Sequence, residues 1–112
     1  MARDLNTTLQ RLEITFPILR RYTVDVAYLF GSRADGSAYP GSDYDLAFLF
    51  KDFNPQRHNI TMAIAIQLEL EEKFKAPVDI VFLQKAPVVL AFEVISKGIV
   101  FYSTDEDFRT DI

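Results

Sequence analysis

The sequence predicts an α/β fold: a small mixed four-stranded sheet with helices packed on it, mainly on one face. Three observations predict it. Apolar residues recur at helical spacing in some segments and at strand spacing in others, in the order α-β-loop-β-α-β-α-β. The 112 residues fit a single domain, and ten Phe and five Tyr supply large apolar surfaces for one core. Finally, 49% of residues are hydrophobic and 25% charged, which is the balance of a folded chain rather than a disordered one.

The first helix is expected over residues 4–21. Leu5, Leu9, Leu12, Phe16 and Leu19 follow three- and four-residue steps, Asn6 or Thr7 is a candidate cap, and Pro17 is expected to kink or shorten it. Residues 24–30, Val-Asp-Val-Ala-Tyr-Leu-Phe, read as a buried strand. The stretch from Gly31 to Ser42 is dense in Gly, Ser and Pro and reads as a loop, with a short helical turn after Gly31. Asp43 to Phe50 reads as a strand with Asp43, Asp45 and Ala47 on one face and Tyr44, Leu46 and Phe48 on the other.

Residues 56–75 carry the strongest helical pattern. Ile60, Ile64 and Leu68 are in line with Met62, Ile66 and Leu70 beside them, and this wide stripe is expected to be core. His58 is expected at a polar helix start, and Glu69 to Lys75 at a solvated end. Pro77 stops the helix. Val78 to Leu83 is the third strand, 87–97 a helix ended by Gly98, and Ile99 to Tyr102 the fourth strand. The domain is expected to span 1–112, with an ordered core over about 5–102 and a loose acidic tail over 103–112.

Composition removes several function classes. No Cys means no disulfide scaffold, no thiolate zinc site and no Cys nucleophile, and one His excludes a multi-His metal site. A net charge of -4 disfavours direct nucleic-acid binding and suits a divalent cation or a basic partner. The start, Met1-Ala2-Arg3-Asp4, lacks the apolar run of a signal peptide, and no stretch is long and apolar enough for a membrane span. A cytoplasmic location without membrane contact is the expectation.

The chemistry concentrates in two places. Asp43 and Asp45 share a strand face, where like charges repel unless a cation or proton neutralises them, and Asp is a poor strand former. Asp79 opens the third strand. If that strand neighbours the Asp43–Asp45 strand, three hard carboxylates converge, a donor set suited to Mg²⁺. Two such ions serve in-line phosphoryl or nucleotidyl transfer. Gly31-Ser32 ends the first strand, where a bare backbone and a hydroxyl suit a phosphate; Arg33 is either a phosphate ligand or a surface partner of Asp35. The competing reading of the acids is a solvated strand face.

Gly31-Ser32-Arg33-Ala34-x-Gly36-x5-Ser42-Asp43-x-Asp45-Leu46 resembles the signature of the DNA polymerase β-like nucleotidyltransferase superfamily. The short length and the ending Gly98-Ile99-Val100-Phe101-Tyr102 resemble its minimal members, the nucleotidyltransferase (MNT) subunits of HEPN/MNT toxin–antitoxin pairs. The resemblance implies the polymerase β palm-like fold, with Gly31, Ser32, Arg33 and Ser42 at the triphosphate. It implies two Mg²⁺ ions on Asp43 and Asp45, with Asp79 completing one metal site and helping to deprotonate the attacking hydroxyl. It also implies an antitoxin that moves AMP from ATP to a tyrosine of a HEPN ribonuclease toxin bound in a hetero-oligomer. A blocking antitoxin without catalysis, and a small-molecule nucleotidyltransferase of the antibiotic-modifying type, are the alternatives. Larger relatives carry an acceptor-binding domain for which these 112 residues leave no room, so a partner is expected to present the acceptor.

Overall fold

The computed structural model describes residues 2–39 and 41–104. Helix α1 (Ala2–Leu12) runs through a 3₁₀ turn (Glu13–Thr15) into α2 (Phe16–Arg21). The break falls where Pro17 enters the first turn of α2, a position whose missing N–H has no helical acceptor to lose. Thr15 Oγ1 donates to the Leu12 carbonyl at 2.6 Å and closes the turn between them. The helix begins well before Asn6 and Thr7, so neither caps it.

Strand β1 (Val24–Phe30), the four-residue helix α3 (Ser32–Asp35) and β2 (Tyr44–Phe50) follow. Then come α4 (Ile60–Phe74), β3 (Val78–Phe82), α5 (Val88–Lys97) and β4 (Ile99–Ser103). The sheet order is β3-β2-β1-β4. β1 runs antiparallel to β2 and β4, and β2 runs parallel to β3, so the sheet is mixed as the sequence predicts. The larger core lies between the sheet and α1, α2 and α4, where Leu12, Leu19, Leu46, Phe48, Ile66 and Leu70 are fully buried. A smaller cluster on the opposite face joins Val26, Tyr28 and Ala47 to Val94 of α5.

Helix α4 differs from expectation in its start and its rotation. Asn59 caps it by accepting the Met62 N–H at 3.0 Å, and residues 56–58 belong to the preceding turn. There His58 is buried rather than at a wet helix start: Nδ1 meets the Asn54 backbone and the ring stacks on Phe50 and Phe53. The expected Ile60–Ile64–Leu68 core line is exposed, at 70%, 47% and 61%. It stands roughly 140° around the helix from Ile66 and Leu70, too far for one sheet face to cover both. The rotation is fixed by two bonds to β3: Gln67 Nε2 donates to the Val78 carbonyl at 2.8 Å, and the Val78 N–H donates to Glu71 at 3.0 Å. Glu71 is thus a strand anchor rather than part of a solvated end. Glu69 likewise accepts from Arg21 and Tyr22.

Gly98 ends α5 as predicted, but with an ordinary φ of -73. Glycine is needed there for closeness: a Cβ would stand 2.5 Å from the Val94 carbonyl oxygen. The loose tail is expected from 103, but Ser103 ends β4 and the Thr104 N–H donates to the Asp25 carbonyl at 3.0 Å; its remainder, 105–112, lies outside the described residues.

Candidate active site

The local fold delivers the acids to one end of the sheet. β2 alternates its side chains, so Tyr44, Leu46 and Phe48 enter the large core while Asp45 turns to the opposite face. The parallel register pairs Asp45 directly with Asp79 on β3. Adjacent strands stand about 4.8 Å apart, so these two carboxylates are neighbours. Asp43 precedes the first residue of β2 and is exposed, as is Asp79, while Asp45 is half-buried. On the other side of Asp45 the antiparallel register places Phe30, half-buried at the end of β1.

The electrostatics follow the geometry. Asp45 is held above the usual carboxylate range, first by burial, then by the charges of Asp79 and Asp43. Asp79 and Asp43 both act on Asp45. Among the described residues no group of three or more His, Cys, Asp or Glu closes on a single point. The acids form an open, self-repelling set of hard oxygen donors. Such a set fits Mg²⁺, an ion that keeps waters and takes other ligands from substrate phosphates.

Gly31 is tied to this set by direct contact. Its φ is +73, and a Cβ there would lie 2.2 Å from Asp45 Oδ2. Glycine therefore lets the carboxylate lie against the backbone where β1 turns into α3. Gly31 also caps α3, its carbonyl accepting from the Ala34 and Asp35 amides. Ser32, half-buried, opens that helix next to Asp45, where first-turn amides have no helical acceptor.

Arg33 and Ser42 are placed differently from Gly31 and Ser32. The Arg33 guanidinium lies over the Tyr44 ring, 4.1 Å from its centroid, on the core side of β2. It donates from Nε and Nη2 to the Ser42 carbonyl, at 3.3 and 2.9 Å, and does not pair with Asp35, which accepts from Ser37 instead. Ser42 is buried, and its hydroxyl accepts the Tyr39 N–H at 2.9 Å. Both residues hold the loop that delivers Asp43. Sequence reading also passed over the partners of this brace, Tyr44 and Arg11. Tyr44 between two acids was the one visible signal; Arg11 gave none, since its helix position is that of any surface Arg.

A family model for polymerase β nucleotidyltransferases matches residues 13–107. The chain belongs to this family. Protein adenylyltransferase MntA of Shewanella oneidensis is 31% identical over 86 residues, covering 75% of this chain and 58% of that relative. The chain thus spans less than two thirds of that relative's length. A crystal structure of a toxin–antitoxin with AMP-PNP superposes with a TM-score of 0.66 at 25% identity, covering 95% of this chain and 78% of that one. A structure of a minimal nucleotidyltransferase gives a TM-score of 0.64 at 28% identity, covering 85% of this chain and 93% of that one. The predicted nucleotidyltransferase fold is therefore correct. Among the described residues no helix is long and apolar enough to cross a membrane.

Proposed function

We propose that the chain is a Mg²⁺-dependent nucleotidyltransferase that moves AMP from ATP to a tyrosine hydroxyl of a HEPN-type toxin partner, and so acts as an antitoxin. The observation that carries this reading is the Asp45 carboxylate packed on Gly31 and paired in register with Asp79. That contact sets the acids beside the Gly31-Ser32 bend. The relation to protein adenylyltransferase MntA and to a toxin–antitoxin with AMP-PNP supports the donor and the acceptor.

In this reading Gly31 and Ser32 hold the triphosphate through backbone amides and the Ser32 hydroxyl. Asp43, Asp45 and Asp79 would hold two Mg²⁺ ions, which when bound would acidify the attacking hydroxyl and neutralise charge on the triphosphate. Asp79 receives the hydroxyl proton. The acceptor oxygen forms a bond to the α-phosphorus, the bond from that phosphorus to the β-phosphate bridge oxygen breaks, and pyrophosphate leaves. Incubation with ATP, Mg²⁺ and the toxin encoded next to this chain is expected to add one or more AMP groups to the toxin, read by intact-protein mass. An unchanged toxin mass contradicts the reading.

One observation favours a blocking antitoxin instead: α4 and α5 expose apolar residues, with Leu68 at 61% and Phe92 at 69%. Asp43→Asn with Asp45→Asn separates the two, because a blocking protein keeps neutralising its toxin after that change and a transferase does not.

A further inference from the structure

On the face of β2 turned away from Asp45 lies a cavity of about 350 Å³, lined by Thr8 and Arg11 of α1, Arg33 of α3, Tyr39 of the loop and Tyr44. Its volume is that of a small-ligand pocket. One feature costs the fold free energy, and a second leaves hydrogen-bonding capacity unused.

The first is the Tyr44 hydroxyl. The residue is 0% exposed, and its ring is sandwiched between Phe74, with centroids 4.4 Å apart and planes within 2°, and the Arg33 guanidinium. Its oxygen is buried without a hydrogen-bond partner. A Phe would make the same stack without desolvating a hydroxyl.

The second is the pair of guanidiniums. Arg11 and Arg33 stand 5.7 and 4.1 Å from the same ring centroid. Arg11 donates from Nη2 to the Phe74 carbonyl at 3.2 Å, and Arg33 donates to the Ser42 carbonyl. Neither pairs with a carboxylate among the described side chains, where the ion pairs are Arg21–Glu69, Lys75–Glu72 and Lys97–Glu93. Each guanidinium carries five donors, so both keep donors for another acceptor. In a chain of net charge -4, two guanidiniums that pair with no described carboxylate line one cavity.

We propose that this cavity is an anion site for a phosphoryl group, carried by free phosphate or by a small nucleotide, with Arg11 and Arg33, both set against the Tyr44 ring, donating to its oxygens. Two guanidiniums match the oxygens of a tetrahedral oxyanion. Tyr39, 72% exposed beside the two arginines, offers a ring on which a base stacks. The site stands on this geometry whether or not the acid face transfers nucleotides. It bears on that face through one bond: an oxyanion competes with the Ser42 carbonyl for Arg33, and Ser42 immediately precedes Asp43.

Inorganic phosphate and AMP are the probes, titrated into the full chain without magnesium by calorimetry and thermal melting. Saturable binding of at least one is expected. Arg11→Gln is expected to weaken it about tenfold, the scale of one charge-assisted hydrogen bond. Tyr44→Phe keeps the ring against which both guanidiniums lie, and is expected to raise the melting temperature of the free protein and leave the probe affinity unchanged. Lys97→Ala, on α5 and away from the cavity, is expected to leave the affinity unchanged. Tighter binding of AMP than of phosphate assigns a nucleotide, and equal binding assigns free phosphate. Absence of saturable binding overturns the proposal, as does binding that survives Arg11→Gln. Should Arg11→Gln fail to fold, Arg33→Gln decides: unchanged probe affinity overturns it.

Discussion

Strand β2 presents two faces built on opposite terms. Toward α4 it buries Tyr44, Leu46 and Phe48 completely, and these apolar contacts repay the cost of ordering the strand. Toward α5 it begins with Asp45, whose carboxylate is half-buried beside Asp79 and Asp43 and pairs with no cation among the described residues. One face supplies stability and the other spends it. Residues a single step apart therefore differ in what their loss does, and the period of two is what lets one short strand serve both purposes.

That contrast can be broken from either side. The largest effect is expected on the charged face: Asp45→Asn lowers nucleotide transfer by at least about 10³-fold, the scale of losing a preorganised electrostatic contact to the transition state. A turnover assay with the toxin partner checks it. Next comes the apolar face: Phe48→Ala is expected to cost about 3–5 kcal/mol by urea unfolding, since the ring is fully buried.

Gly31→Ala is expected to cost about 1–3 kcal/mol, because it combines a positive φ with a Cβ driven into Asp45. The same variant is expected to lose transfer as well, because the carboxylate must move. The smallest effect sharpens the contrast. The folded state raises the pKa of Asp45, so the folded protein binds more protons than the unfolded chain between the unfolded value and the raised one. Stability from this group is therefore lost as pH rises through that window. Asp45→Asn removes the penalty: without magnesium its melting temperature is expected to exceed the wild type at pH 7 and to converge with it under acid.

The acid face was legible in the sequence because its signals are local. A period of two puts Asp43 and Asp45 on one face, and a Gly at a strand end marks a close approach, which proves to be to Asp45 itself. The element order and the mixed sheet were legible too, since helical and strand periods alternate along the chain. What was not legible depends on contacts between distant segments. The exposed line Ile60, Ile64 and Leu68 looked like core because hydrophobicity gives the width of a stripe but not its rotation. The rotation comes from Gln67 and Glu71 meeting Val78 across the next connection. His58 looked polar and proved buried, since Phe50 and Phe53 come from outside its helix. Arg33, read as a phosphate ligand beside the acids or a partner of Asp35, lies on Tyr44 at the opposite face of β2 and donates to the Ser42 carbonyl.

The convergence of the acids has a direct readout that does not depend on catalysis, partner or metal. Carboxyl-carbon NMR titration of Asp45, in the metal-free protein and in Asp79→Asn, follows the group whose surroundings define the site. An apparent pKa above the usual aspartate range that falls when Asp79 is neutralised is the result predicted here. An ordinary Asp45 pKa, unmoved by Asp79→Asn, would contradict it.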